Sequence, residues 1–364
     1  MGCGDLPDLS GVKKILVVKL RQLGDVLLTG PVFSALRKAV PGAQIDAYIY
    51  EEGLPLLEGH PGIDGFVTYD RKWKRLGFLR RLQKEWGVLR RIRKEGYDWV
   101  INLTEGDRGV IAAKWSGASV RVGFEPKGKR QRRILTHVVK HCPSLRHTVE
   151  KNLDALRRIG IFPGFEERDL TLEIPEGARE AIRERLGEGG FVLIHPASNW
   201  LFKCWPVEKM RQLTEELIRR GKRVVFSGGP DAAGKSMVAE IVRGLEVVNL
   251  AGMLSLKELA ALIERAQYLI CVDSLPFHIA SALKKPVIGI WGPSSEVNWG
   301  PWRNPHARIV AQKFSCRPCY MDGCGGSQVS DCLVTLPVQM VLNAVEQLEL
   351  TQCVSLPSGK SQMK

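Results

Sequence analysis

The chain contains no run approaching the ~18 consecutive apolar residues that a bilayer-crossing helix needs, so nothing in the sequence is expected to span a membrane. Its start, Met1-Gly2-Cys3-Gly4-Asp5-Leu6, has no apolar segment of the secretory kind. The same stretch fails the myristoylation pattern, because Leu6 stands where Ser or Thr is required. The expectation is a soluble cytoplasmic protein. Five histidines, His60, His137, His141, His147 and His306, show no metal-ligand spacing, so no catalytic metal and no cofactor is assigned. The first half is also short of acid, with 17 Asp and Glu against 30 Lys and Arg over residues 1–160. What is present is ordinary globular composition, 44% hydrophobic and 25% charged, which excludes a disordered chain. At 364 residues the chain exceeds what one hydrophobic core normally organises, and two domains are expected.

The net charge of +14 is unevenly placed. Residues 1–160 carry +13, whereas residues 161–364, with 23 Lys and Arg against 22 Asp and Glu, carry +1. Such asymmetry points to an anionic partner for the first half: nucleic acid, phospholipid, or a phosphorylated or acidic glycan. A solvated charge run without function is the alternative. The excess is densest at 71–94, with 11 Lys and Arg and one acid, Glu85, interleaved with Trp73, Phe78 and Trp86. Lys127, Lys129, Arg130, Arg132 and Arg133 form a second cluster.

Short apolar runs alternate with amphipathic stretches. Lys14-Ile15-Leu16-Val17-Val18 predicts a buried parallel strand, followed by a loop through Gly24-Asp25 and a helix near Pro31–Ala39. Further strands are predicted at Ile45–Tyr50, Phe66–Tyr69 and Trp99–Leu103, with a long basic helix over about Arg75–Lys94 between the last two. After Pro175 the pattern restarts: strand Phe191–Ile194, loop Pro196–Trp205, helix Val207–Arg220, then strands at Arg223–Phe226, Val247–Leu250, Tyr268–Val272 and Val287–Trp291. Alternation of this kind implies right-handed βαβ units and parallel sheets. Two series in tandem, with a linker at 160–176, predict an α/β chain of two Rossmann-like, doubly wound domains facing each other across a cleft. The ligand is expected at the carboxyl ends of the strands.

Gly229-Pro230-Asp231-Ala232-Ala233-Gly234-Lys235-Ser236 satisfies the Walker A pattern between a strand and a helix, and Leu269–Asp273 resembles a Walker B strand. With 37 glycines a chance match is not negligible, and a P-loop here leaves the basic half unexplained. Read without the pattern, Asp231 either caps the helix or holds a sugar hydroxyl. Asp273-Ser274-Leu275-Pro276-Phe277-His278 ends a strand and starts a helix, with Pro276 suited to its first turn. The free N–H groups and dipole there suit a diphosphate. The competing reading has Asp273 or Ser274 merely capping and His278 packed in the core.

Asn199-Trp200-Leu201-Phe202-Lys203-Cys204-Trp205 sets one lysine in an aromatic loop. A cation there is costly to desolvate unless an anion meets it, or it snorkels to solvent. In the first βα loop a single glycine, Gly24, is too few for a dinucleotide fingerprint, which disfavours NAD. Asp25 beside it is either a general base toward a hydroxyl or a helix cap.

Leu23-Gly24-Asp25-Val26-Leu27-Leu28-Thr29, Lys203-Cys204-Trp205-Pro206 and Asp273–Ala280 resemble the motifs of glycosyltransferase family 9, the lipopolysaccharide heptosyltransferases, over about residues 13–350. Arg121-Val122-Gly123-Phe124 and Trp291-Gly292-Pro293 resemble that family too. Lys19-Leu20-Arg21, the 45–57 stretch and Cys316-Arg317-Pro318-Cys319 are similar to its heptosyltransferase III branch. The resemblance implies a GT-B fold with an acceptor-binding domain at 1–175, an ADP-sugar donor-binding domain at 176–354 and a disordered tail at 355–364. It implies inverting, metal-independent transfer of L-glycero-D-manno-heptose from an ADP-activated donor to the lipopolysaccharide inner core. Asp25 becomes the base, and Lys203 binds the diphosphate and stabilises the departing ADP. Asp231 contacts the donor, Asp273 holds heptose hydroxyls, and Ser274, Leu275 and His278 line the phosphate turn. Ser198 and Asn199 occupy the donor loop, in a form that departs from the commoner Thr-containing one.

That acceptor carries phosphates and carboxylates at the inner face of the cytoplasmic membrane, so the resemblance implies a peripheral protein there and favours the glycan over nucleic acid as partner of the basic half. Cys316, Cys319, Cys324 and Cys332 are spaced C-x2-C-x4-C-x7-C, compact enough for structural zinc but not a standard ribbon. Reduced thiols packed in an ordered loop are the expectation, with Cys271 in the core.

Overall fold

The computed structural model describes residues 6–126, 128–142 and 144–355, the last four of these by backbone alone. Expectations on residues 1–5 including Cys3, on Lys127, on the Cys353 side chain and on 356–364 lie outside the described residues. Between Glu173 and Ile174 the chain divides into two compact units.

β-Branched runs build the first sheet: β1 (Lys14–Lys19), β2 (Gln44–Tyr50), β3 (Gly65–Tyr69), β4 (Trp99–Asn102), β5 (Val120–Phe124) and β6 (His137–Val139). All pairings are parallel, in the order β3-β2-β1-β4-β5-β6. Ile15, Leu16, Val17 and Val18 are wholly buried, as expected for a central strand covered on both faces. The second unit repeats the plan with β7 (Val192–His195), β8 (Val224–Phe226), β9 (Val248–Asn249), β10 (Tyr268–Val272), β11 (Val287–Trp291) and β12 (Ala307–Ala311). Its order, β12-β11-β10-β7-β8-β9, is the same winding counted from its own first strand. In both sheets the strand order reverses between the first and fourth strands, β1 and β4 or β7 and β10, and doubly wound sheets bind ligands at such a reversal.

Amphipathic helices cover the sheets because apolar residues recur along one face of each. Val207–Arg219 buries Met210, Leu213, Thr214 and Leu217. Leu256–Arg265 starts at a capping box in which Ser255 and Glu258 satisfy each other's backbone N–H. The basic helix starts later than the charge pattern suggests, at Phe78, and runs to Glu95. Gly77 is extended, and Asp70 caps a separate 3₁₀ turn over Arg71–Arg75 by accepting from the Lys72 N–H, so the chain breaks before the helix. Gly96 closes that helix with φ +66°, the left-handed conformation that glycine adopts at least cost.

Candidate active site

At the strand reversal of the second unit, Lys203 meets Asp273. The lysine sits at the end of a 3₁₀ turn, Leu201–Lys203, in the loop after β7. Asp273 follows β10 directly. Lys203 Nζ donates to Asp273 Oδ2 at 2.6 Å. The carboxylate side chain is 5% exposed and the lysine 21%, so the anion that permits a cation in this aromatic loop comes first from the chain itself. An ammonium has three donors and Asp273 takes one, which leaves the lysine able to face a phosphate as well. Trp205, almost wholly buried, anchors the loop by donating from Nε1 to the Leu336 carbonyl at 3.3 Å. The Ser198 hydroxyl accepts from the Trp200 N–H at 3.3 Å, and Asn199 is exposed.

The helix Leu275–Ala282 begins beside Asp273, with Ser274 at its N-cap position and Pro276 in the first turn. Ser274 makes no side-chain cap; its hydroxyl donates to the Val272 carbonyl at 3.2 Å. His278 is buried, its ring edge-on to Phe277 at 6.2 Å. Leu275 is half-buried at the helix start. Ser274 and Leu275 thus lie at the start of this helix, and His278 packs against Phe277 one turn in.

Asp231 resolves toward capping: its Oδ1 accepts from the Gly234 N–H at 2.7 Å, opening the helix Ala232–Val242. That contact counts against a P-loop. The backbone donor that a nucleotide phosphate would take is already held by a carboxylate, and 232–234 are helical instead of wrapped into a cradle. Lys235 is exposed and lies along Gly252, while the Walker B-like Asp273 is paired with Lys203. Nearby, His195 ends β7, buried, with Nδ1 2.9 Å from the Ser227 hydroxyl. Burial pushes its pKa down to about 4.

In the first unit the loop after β1 is a short helix, Leu23–Leu27, with Asp25 in its first turn and Gly24 accepting from the Leu28 N–H through its carbonyl. No N-cap side chain bonds to the start of this helix, and the Asp25 carboxylate stands 3.9 Å from Arg21. The carboxylate is thus partly open, with 17% of its side chain exposed. Behind it stand residues that sequence reasoning did not single out for the site. Lys19, the last residue of β1 and 6% exposed, donates to the Leu103 carbonyl at 3.2 Å and to Asn152 Oδ1 at 3.1 Å. Asn152 Nδ2 donates in turn to the Leu28 carbonyl at 3.1 Å. Thr104, after β4, accepts from the Leu20 N–H at 2.7 Å. Burial lowers the Lys19 pKa, and the Asp25 charge opposes that shift. The available signal was a lysine closing an apolar strand at a strand reversal.

Among the described residues no three His, Cys, Asp or Glu side chains are grouped to hold a metal ion. Cys316 and Cys324 are exposed, Cys319 intermediate and Cys332 buried, all as free thiols. Cys271 lies buried in β10.

With this geometry in view, residues 86–328 match the profile of glycosyltransferase family 9 (heptosyltransferase). The chain is 32% identical over 338 residues to lipopolysaccharide heptosyltransferase 3 of Escherichia coli K12, covering 90% of this chain and 96% of that one. Its fold superposes on a glycosyl transferase family 9 crystal structure from Veillonella parvula with a TM-score of 0.80 at 25% identity, over 96% of this chain and all of that one. It also matches the E. coli heptosyltransferase WaaC solved with ADP-2-deoxy-2-fluoro heptose, at a TM-score of 0.67 and 19% identity, over 92% and 99% of the two chains. Two doubly wound parallel units with this likeness are the GT-B fold, and the chain belongs to glycosyltransferase family 9, the heptosyltransferases.

Proposed function

We propose that this enzyme moves L-glycero-D-manno-heptose from its ADP donor to the inner core of lipopolysaccharide in a single inverting displacement that needs no metal. Residues 1–175 bind the acceptor and residues 176–354 the donor. Asp25 deprotonates the acceptor hydroxyl; its partly open carboxylate, 3.9 Å from Arg21, suits a base better than a structural cap. The hydroxyl oxygen then attacks the anomeric carbon from the face opposite ADP, the C–O bond to the β-phosphate breaks, and ADP departs with the bonding pair.

Lys203 faces the negative charge that grows on the leaving diphosphate, which is where a fixed cation lowers a barrier most. Asp273 fixes that ammonium and holds heptose hydroxyls, with Ser274, Leu275 and His278 around the phosphate turn. Ser198, Asn199 and Asp231 complete the donor side, and Gly24 lets the acceptor approach beside Asp25. The Lys203–Asp273 pair, placed at the strand reversal in a member of this family, carries the reading. The protein works at the inner face of the cytoplasmic membrane as a peripheral protein, because its acceptor is lipid-anchored; among the described residues no helix is long and apolar enough to cross a membrane.

The test is transfer from ADP-heptose to heptose-bearing core oligosaccharide in EDTA, followed by ADP release. Activity in EDTA that is lost in Lys203→Ala and kept in Lys235→Ala supports the reading. Strict Mg²⁺ dependence, or loss only in Lys235→Ala, overturns it.

A further inference from the structure

One face of the first unit is left apolar in a way its sheet does not require. On the helix Phe78–Glu95 the side chains of Phe78, Leu79, Leu82 and Trp86 are 77%, 78%, 52% and 37% exposed. Residues 78, 82 and 86 recur every four positions and Leu79 lies beside them, so they form a stripe. At Trp86 the stripe crosses to the helix Asp107–Ser116, where Trp115 meets it edge to face with ring centroids 4.7 Å apart. One turn back on that helix Ile111 continues it; Ile111 and Trp115 are 42% and 43% exposed. Six large apolar side chains in one open strip exceed what scattered surface exposure produces.

The exposed charge on the helix that carries most of the strip is positive, and the exposed acid nearest the strip on the second helix is Asp107, one turn before Ile111. Arg80, Lys84, Arg90, Arg93 and Lys94 are all exposed on the first helix, Phe78–Glu95. Its one acid before Glu95, Glu85, is turned inward: it accepts from the Tyr69 hydroxyl at 2.7 Å and from Arg81 at 3.1 Å, and Arg108 stands 3.5 Å away. Burial would raise that carboxyl, but the hydrogen bonds from Tyr69 and Arg81 and the charges of Arg81 and Arg108 hold it below its usual value. The fold thus ties the one acid within residues 71–94 to Tyr69, Arg81 and Arg108, which pins the helix. Beside the strip, Trp86, Leu89, Arg90, Arg93, Lys94 and Trp115 line a cavity of ≈ 190 Å³, with Arg90 stacked over Trp86 at 5.5 Å. Indole walls with three cations at the rim suit a lipid phosphate whose neighbouring atoms are apolar.

We propose that this strip is the membrane-docking face of the enzyme. Phe78, Leu79 and Leu82 enter the headgroup–acyl boundary of an anionic bilayer while the flanking arginines and lysines hold lipid phosphates. An apolar wedge and a cationic surround are the two signals that stable peripheral attachment requires. The choice of a bilayer as occupant rests on the lipid-anchored acceptor proposed above; the strip and its charge stand independently of it.

The experiment is flotation of the purified full chain with phosphatidylglycerol/phosphatidylethanolamine vesicles and, separately, with phosphatidylcholine vesicles. The chain should float with the anionic vesicles and far less with the neutral ones. Leu79→Glu/Leu82→Glu should weaken that partition at least about tenfold, and Arg80→Glu/Lys84→Glu should weaken it by a similar factor. These positions are exposed; circular dichroism shows that both variants remain folded, and transfer to a soluble core oligosaccharide shows that Leu79→Glu/Leu82→Glu remains active. No binding, binding unchanged in Leu79→Glu/Leu82→Glu, or a strip that instead drives dimerisation or oligonucleotide binding overturns the proposal. Failure of transfer to the soluble acceptor in the unaltered chain overturns the proposed reaction and leaves the vesicle result to decide the docking face.

Discussion

Lys203 and Asp273 lie 70 positions apart in the sequence and 2.6 Å apart in space, and they join the loop after β7 to the end of β10. Removing the lysine alone strands a carboxylate that is 5% exposed, a change that costs about 3 kcal/mol when a buried pair is broken from one side. Lys203→Ala should therefore unfold at lower denaturant and also lose transferase activity. Lys203→Met with Asp273→Asn removes both charges and should recover most of the stability without recovering activity. Urea melts beside steady-state rates separate the two effects; recovery of activity in the double variant would show that the pair serves the fold alone.

Asp25→Asn keeps the shape of the Leu23–Leu27 turn and removes the base. Its kcat should fall by about 10²- to 10⁴-fold with little change in the KM for the donor. The thermal unfolding midpoint should fall only modestly, because no N-cap side chain bonds to the start of that helix and the stability lost is the attraction between Asp25 and the buried Lys19 ammonium. A large loss of stability with normal kcat would assign Asp25 to structure instead.

Asp231 and Lys235 share one helix start but differ in what they do. Asp231→Ala removes the acceptor of the Gly234 N–H and should cost about 1 kcal/mol, as a lost N-cap does. Lys235→Ala should stay within about 0.5 kcal/mol, since it alters an exposed helical side chain. Calorimetric ADP binding to Lys235→Ala should match that of the unaltered chain, the reverse of what a P-loop requires.

The two-fold βαβ plan was legible because central strands buried on both faces read as unbroken apolar runs, Lys14–Val18 and Phe191–Ile194 among them. β5 and the edge strands β6 and β12 were not, since Arg121 and Gly123 interrupt Val120–Phe124, His137–Val139 is three residues long and Ala307–Ala311 is mostly half-buried, leaving little hydrophobic signal. Gly77 and the Asp70 cap displaced the start of the basic helix from Arg75 to Phe78, a local turn chemistry that charge patterning does not register. Within the site, motif order named Asp25, Lys203 and Asp273. It did not reveal that Asp273 is the partner of Lys203, nor that Asn152 supports the Asp25 turn from 124 positions away from Leu28, because such pairings exist only once the sheet has wound.

Asn152 bridges the Lys19 ammonium and the Leu28 carbonyl, so it holds the turn that carries Asp25. Asn152→Ala leaves a buried cation and a buried carbonyl each short of a partner and should cost about 2–3 kcal/mol. The displaced turn should lower kcat about 10- to 100-fold while the donor KM stays within about twofold, because misplacement of a reacting group acts on the chemical step. Equal losses in kcat and ADP affinity would sink this assignment.

His60 and His195 are both buried, and burial pushes each pKa down to about 4 from 6.5. The imidazoles are neutral in the folded chain, while the unfolded chain takes up protons as pH falls below 6.5. Stability should accordingly be complete above that pH and decline as pH drops from about 6.5 to 4, by roughly 3 kcal/mol for each histidine. His195 ends β7 with Nδ1 against the Ser227 hydroxyl, whereas His60 in the first unit accepts from the Gly62 N–H, so the two report on different halves. His195→Gln should flatten the acid limb of the second-unit transition and leave that of the first unchanged. Urea titrations at pH 7.0 and 5.0 on both proteins make the comparison, and an acid limb identical in His195→Gln would place the proton uptake elsewhere.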